Sequence, residues 1–302
     1  MAIDFKGQTA IVTGAGGGLG RVYCLELARR GANIVVNDYG VSLDGTQTGE
    51  TSAAEELADQ IKKLDAGVAL SGDNVADEKG GKNICELALE KFGQIDIVIN
   101  NAGILRDSSI SRMPASSWES VIDVHLNGAF NVTKPAFLNM KENKYGRVIF
   151  TSSAAGLYGN FGQANYSAAK MGLIGFMNSL RPEAEKYNIC VNTVAPLAES
   201  RMTKELLPAE LLEKMKPEYV FPLVLYLASQ NCKSSSGIYN VGMGLVNRAE
   251  VQTFEPVNFL EENEEFLPED IEKRFEEIHN MEKSNSYSDI GNFILDFIKE
   301  TG

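Results

Sequence analysis

Within "TSSAAGLYGNFGQANYSAAK", residues 151–170, a serine, a tyrosine and a lysine stand at spacings that bear on proton chemistry. Ser153 lies thirteen residues before Tyr166, and Lys170 lies four residues after it. At i and i+4 on a helix, Tyr166 and Lys170 share one face. A phenol with a pKa of about 10 holds its proton at neutral pH. A lysine ammonium beside it favours the phenolate and moves that pKa down, which makes the tyrosine a base for a carbinol hydroxyl. The Ser153 hydroxyl is then placed to hold the oxygen that loses its proton. Taken alone, the pair is also compatible with a helix whose Tyr and Lys fall one turn apart by chance.

Upstream, the chain carries the means to hold a hydride acceptor. "TAIVTG" (9–14) reads as a strand that runs into a glycine-rich turn and then a helix, with Gly14, Gly18, Leu19 and Gly20 at the junction. Glycines let the backbone approach a pyrophosphate, which the free N–H groups and positive end of the helix stabilise. Asp38 ends the second strand, about twenty residues further on, where a carboxylate accepts from an adenosine ribose and repels a 2′-phosphate. The expected cofactor is therefore NAD. Asn74 and Val75 follow the third strand, and Asn101, Ala102 and Gly103 follow the fourth, at strand ends where open parallel sheets bind ligands. The asparagine pair also reads as a turn that ties two strands together, and both roles are compatible.

These residues need a scaffold, and the periodicity supplies one. The apolar runs "NIVVND" (33–38), "GVALSG" (67–72), "IDIVIN" (95–100), "GRVIFTSS" (146–153) and "ICVNTVAP" (189–196) alternate with amphipathic segments such as "LGRVYCLELARRG" (19–31). Strands that are apolar on both faces and separated by helices predict an α/β fold, a Rossmann-type doubly wound parallel sheet with helices on both faces. "GIYNVGMG" (237–244) reads as the last strand and its turn. The composition then shifts. We expect a dinucleotide-binding domain over 1–248 and an acidic C-terminal helical extension over 249–302, packed on the core or on a dimer partner. In the extension Leu267–Asp270 looks like a helix start, and Ile290, Phe293, Ile294, Phe297 and Ile298 share a helical face.

Bulk properties exclude several classes of partner. With 41 acidic against 28 basic residues in 302, the net charge is -13. Binding to nucleic acid or an anionic membrane is thereby disfavoured, since both need clustered Lys and Arg. The cysteines Cys24, Cys85, Cys190 and Cys232 have no metal-ligand spacing, so no metal is expected. No signal peptide or membrane-length apolar run is evident, and the chain reads as soluble with no address of its own.

Thr-Gly-x-x-x-Gly-x-Gly, Asn-Asn-Ala-Gly and Ser…Tyr-x-x-x-Lys in this order resemble the short-chain dehydrogenase/reductase superfamily over residues 5–246. The segments "NNAGILRD" (100–107), "VHLNGAF" (124–130), "YGNFGQANYSAAK" (158–170), "SRMT" (200–203) and "KPEYVFPLVLYL" (216–227) resemble one subgroup more closely. That subgroup is the (3R)-3-hydroxyacyl-CoA dehydrogenase unit of peroxisomal multifunctional enzymes type 2. The resemblance implies NAD-dependent oxidation of a (3R)-3-hydroxyacyl-CoA to the 3-ketoacyl-CoA. It also implies a homodimer, a peroxisomal location if the source is eukaryotic and a cytoplasmic one otherwise, and hydratase and sterol-carrier-like domains on a longer polypeptide. Ser153, Tyr166 and Lys170 are then catalytic, and Tyr166, Lys170 and Thr203 also contact the cofactor.

Where the superfamily places an asparagine that holds a water against the lysine, this chain has His125, which becomes a candidate for the proton relay, while Asn127 should face elsewhere. The bulkier Pro196–Ser200 loop and "GLVNRAEVQ" (244–252) depart from the pattern at the substrate side. Arg106, Arg112, Arg201 and Lys204 are candidates to meet the phosphates of coenzyme A. Two other readings fit the same machinery: a hydroxysteroid or other secondary-alcohol dehydrogenase, and an NAD-binding scaffold without turnover.

Overall fold

The computed structural model of the chain describes residues 2–40, 42, 44, 45, 52–198, 209–260, 265–287 and 289–299. They form two compact units, residues 1–248 and 249–302.

In the first unit, short β-branched segments become strands because branched side chains pack well on a pleated surface. They are β1 (Thr9–Thr13), β2 (Asn33–Asn37), β3 (Val68–Ser71), β4 (Ile97–Asn100), β5 (Gly146–Thr151), β6 (Ile189–Leu197), β7 (Ile238–Gly242) and β8 (Leu245–Ala249). The sheet order is β3-β2-β1-β4-β5-β6-β7-β8. From β3 through β7 each pair is parallel, with register such as Ala10 to Ile97 and Val148 to Val191. β8 was not expected from the sequence, where residues 237–244 read as the final strand. The difference lies in the turn: Met243 and Gly244 both have positive φ, at 53° and 77°, as a two-residue hairpin requires.

Helices cover both faces, as the alternation predicts. They are α1 (Gly18–Arg29), α2 (Ser52–Lys62), α3 (Glu78–Phe92), α4 (Ala115–Ile122), α5 (Gly128–Asn143), α6 (Ala154–Tyr158), α7 (Ala164–Ala184), α8 (Ala209–Leu212) and α9 (Phe221–Ala228). On one face Val12, Ile34, Val36, Ile97 and Ile99 pack with Tyr23 and Leu27 of α1, Leu57 and Ile61 of α2 and Val224 of α9, all fully buried. Each such aliphatic side chain contributes about 1.5–3 kcal/mol by leaving water, so the strand ends rest on a fixed platform. The four cysteines are buried and free.

The second unit holds a two-stranded antiparallel ribbon of β9 (Thr253–Phe254) and β10 (Ser284–Asn285), with α10 (Pro268–Ile278) and α11 (Ile290–Lys299). Pro268 opens α10, and the Asp270 carboxylate accepts from the Leu267 N–H at 3.2 Å. The charges of α10 pair locally, Lys273 with Asp270 and Arg274 with Glu277. No described residue of α10 or α11 is buried, so their stability does not come from a core within these helices. Among the described residues no helix is long and apolar enough to cross a membrane.

Candidate active site

The sheet order determines where ligands meet the chain. β1 and β4 are neighbours although two strands separate them in sequence, so the chain reverses direction of winding between them. At such a switch point the turns leaving the two strands diverge and open a crevice. Thr13-Gly14 and Asn100-Asn101 sit there side by side.

Their contacts explain the residue types. The Thr13 hydroxyl accepts from the N–H groups of both Asn101 and Ala102 at 3.0 Å. In return Asn101 Nδ2 donates to the carbonyls of Thr13 and Gly14 at 3.1 and 3.0 Å. Gly14 has φ +62°, and a Cβ there would stand 2.7 Å from Ala102 Cα. Gly20, inside α1, passes so near the turn that a Cβ would fall 2.4 Å from the Gly14 carbonyl oxygen. α1 begins at Gly18 with no side chain capping it, and half-buried Leu19 follows in its first turn. Its first N–H groups are therefore available to an anion.

Asp38 accepts from Gly16 N–H at 2.7 Å with one carboxylate oxygen and from Gly40 N–H at 2.8 Å with the other. Asn74 Oδ1 accepts from Ala76 N–H at 3.1 Å, and the Val75 carbonyl accepts from Asn131 Nδ2 at 2.9 Å. The glycine cradle, the uncapped helix and the carboxylate at the end of β2 fit a dinucleotide. Thr203 lies outside the described residues, with Arg201 and Lys204.

The chemical groups gather where β5 gives way to α6 and α7. Ser153 caps α6 by accepting from Ala155 N–H at 3.2 Å, and its hydroxyl pulls the pKa of the Tyr166 phenol down. α6 lies so close to α7 that a Cβ on Gly156 would sit 2.7 Å from Lys170 Cβ. Ser152 Oγ fixes the contact by donating to the Lys170 carbonyl at 2.8 Å. Lys170 is buried, its Nζ donates to the Thr151 carbonyl at 2.5 Å and stands 5.4 Å from the centre of the Tyr166 ring.

Burial sets the electrostatics. It lowers the Lys170 pKa to about 7. It also raises the Tyr166 pKa, against the pull of the Ser153 hydroxyl and with a further push from the Asp107 carboxylate. The expected lowering by Lys170 is not found in the chain by itself, where burial, Ser153 and Asp107 set the Tyr166 pKa; a low-dielectric site disfavours the phenolate and the ammonium alike.

His125 sits in a π-turn (Asp123–Asn127) that joins α4 to α5, the kind of wide turn that redirects a side chain. Its ring meets the Tyr166 ring edge-on at 5.2 Å, and a Cβ on Gly103 would strike its Cε1. Nε2 lies 3.1 Å from the Ile104 nitrogen and 2.8 Å from the Ile104 oxygen. Burial, and then the Lys170 charge, hold its pKa well below the usual value despite the bond to Ile104. Asn127 is exposed and donates to Asp123, away from the site.

Next to His125 lies a cavity of about 10 Å³ lined by Asn100, Lys170 and Thr13 among others. His125 Nδ1 and Asn100 Oδ1 are both buried without a partner. Asn100 Nδ2 is committed to Thr133 Oγ1 at 2.9 Å, which leaves Oδ1 as an acceptor beside the cavity, a space of about one water molecule.

Three positioning residues went unassigned in the sequence. Thr13 clamps the two turns, and Asn131 holds the carbonyls of Val75 and Ala76. Fully buried Asn165 accepts from Tyr166 N–H at 2.8 Å while donating to the carbonyls of Arg106 and Ser117. Thr13 and Asn165 each adjoin a motif residue, a usable signal; Asn131 has no local one. Among the described residues no group of three His, Cys, Asp or Glu side chains is arranged to hold a metal.

Comparison with known proteins points the same way. Residues 8–210 match the model of the short chain dehydrogenase family. The chain is 48% identical over 252 residues to peroxisomal multifunctional enzyme A of Dictyostelium discoideum, which covers 83% of this chain and 56% of that protein. It is 44% identical over 276 residues to peroxisomal multifunctional enzyme type 2 of Mus musculus, covering 91% of this chain and 37% of that protein. Full-length peroxisomal multifunctional enzyme type 2 of Drosophila melanogaster superimposes with a TM-score of 0.82 at 32% identity, over 98% of this chain and 50% of that one. The chain therefore spans about half or less of the length of these relatives.

Proposed function

The chain belongs to the short chain dehydrogenase family, and from that premise we propose that it oxidises (3R)-3-hydroxyacyl-CoA to 3-ketoacyl-CoA with NAD, as a step of fatty-acid β-oxidation. The observation that carries the reading is Lys170, buried, with its Nζ 5.4 Å from the centre of the Tyr166 ring, next to the Ser153 that heads α6. The names of its relatives support a peroxisomal setting, and the likeness of its motifs to the (3R)-3-hydroxyacyl-CoA dehydrogenase unit supports the choice of thioester. Their greater length supports further domains, hydratase and sterol-carrier-like, on a longer polypeptide. The active form in this reading is a homodimer.

Gly14, Gly18, Leu19 and Gly20 would hold the cofactor pyrophosphate and Asp38 the adenosine ribose. Asn74 and Val75, Asn101 to Gly103, Tyr166 and Lys170 would line the remainder, with Thr203 at the nicotinamide end. Bound NAD supplies the hydride acceptor and a positive charge that favours the phenolate.

Ser153 Oγ, fixed at the head of α6, holds the substrate oxygen. Tyr166 Oη, as the phenolate, takes the hydroxyl proton. Lys170, with a pKa of about 7, is the chain's own group best placed to change protonation near neutral pH and carry that proton away from Tyr166. His125 lines the cavity with its Nδ1 left without a partner, while its Nε2 is occupied by the Ile104 backbone. It therefore serves the relay by holding a water against Lys170.

The test is NADH formation with (3R)- and (3S)-3-hydroxyacyl-CoA. Turnover of the 3R isomer alone is expected. Oxidation of a steroid alcohol but neither thioester, or tight NAD binding with no alcohol oxidised, would overturn the assignment.

A further inference from the structure

A groove of about 880 Å³ runs beside the catalytic helix, between Ser108–Arg112 on one wall and Gly159–Gly162, Ala164 and Ser167 on the other. Its walls are tied together. Ser108 N–H donates to the Gly162 carbonyl at 2.8 Å, Gln163 Nε2 to Asp107 Oδ2 at 2.7 Å, and Asn165 Nδ2 to the Arg106 carbonyl at 3.1 Å. The groove is thus preformed, and its volume falls within the roughly 300–1,000 Å³ of small-molecule sites.

Its chemistry is specific. Arg112 is the only charged residue in the lining. Among the described residues its exposed side chain has no hydrogen bond or ion pair, whereas Arg106 in the same loop is committed to the Asp44 carbonyl and to Ser120 Oγ. In a chain of net charge -13, a groove whose sole charge is positive is a local exception that selects an anion. On the same rim Phe161 is 90% exposed, the most exposed large apolar side chain among the described residues. A guanidinium for phosphate beside a bare aromatic face for a base matches a nucleotide-bearing ligand.

The groove also adjoins the chemistry. Ser167 follows Tyr166 directly, and Asp107, which ties the walls, acts electrostatically on Tyr166.

We propose that this groove seats the coenzyme A moiety of the thioester substrate, with its phosphates on Arg112 and its adenine against Phe161. The inference rests on the thioester reading above.

Its test compares Arg112→Gln and Phe161→Ala with the unaltered chain, each assayed on a 3-hydroxyacyl-CoA and on the same acyl group carried by N-acetylcysteamine. Loss of a charge-assisted phosphate contact is expected to raise KM for the CoA thioester about ten- to a hundredfold in Arg112→Gln. KM for the truncated thioester and kcat for both should stay within about twofold, and Arg112→Lys should recover part of the loss. Unchanged KM for the CoA thioester, or equal loss on both substrates, overturns the proposal. So does a change in sedimentation that tracks the loss, since the groove would then be an interface between copies. Should the unaltered chain oxidise neither thioester, the thioester reading fails by itself, and calorimetry with free coenzyme A still decides the groove: binding weakened by Arg112→Gln supports it, and no binding overturns it.

Discussion

At the turns after β1 and β4 the chain removes side chains, whereas at the start of α7 it buries them. Gly14 and Gly20 are glycine because a Cβ would strike Ala102 or the Gly14 carbonyl, so the nucleotide end is shaped by sterics and by backbone N–H groups. Lys170 and Tyr166 depend on the opposite device: polar groups held in a dry site, where burial shifts both pKa values. The lesson is that the two ends of one crevice are built by opposite devices, which in the proposed reading serve mainly binding at one end and chemistry at the other. Changes at one end should alter affinity and stability, and changes at the other should alter rate and pH dependence.

The sharpest separation is expected from Tyr166→Phe. Removing the hydroxyl deletes the group proposed to take the substrate proton and should lower turnover about 10²- to 10⁴-fold, with NAD affinity within a few fold. Steady-state rates and a fluorescence titration of NAD measure both. A large loss of NAD affinity together with rate would break the distinction.

Lys170→Met should reveal how burial sets charge. The folded pKa of about 7 lies below the 10.5 of an ordinary lysine. Between those values the unfolded chain holds a proton that the folded chain has released, so stability should rise as pH increases through that window and level off below about 7. The gain is at most about 5 kcal/mol, and the variant should lack it. Denaturant midpoints of both chains between pH 7 and 10 decide the matter; parallel curves would mean that Lys170 stays charged when folded.

Gly20→Ala probes the other end with a smaller effect. The added Cβ forces the turn and α1 apart, and about 1–3 kcal/mol of stability should be lost. NAD should bind more weakly, and the pH dependence of the remaining activity should be unchanged. An altered pH profile would show that the two ends are coupled.

Much of this is legible in the amino-acid sequence itself. Strand and helix alternation is a local signal, and so are Gly14, Gly18, Gly20, Asp38 and the spacing of Ser153, Tyr166 and Lys170, because each depends on neighbours within a few residues or a turn. β8 was missed because its hairpin rests on a left-handed Met243, a residue type that does not advertise that conformation. Asn131 was missed because its partners, Val75 and Ala76, lie more than fifty residues away.

The residue types and spacings therefore determined which groups are present and in what order the elements carrying them follow. Tertiary structure alone decided that β1 lies beside β4, that a π-turn aims His125 at a water-sized cavity with Asn100, and that Arg112, among the described residues, is free while Arg106 is committed. It also decided the direction in which the pKa values of Lys170 and Tyr166 move. A side chain's charge state depends on the dielectric and on the partners around it, and those are supplied by segments distant in sequence, which no local pattern encodes.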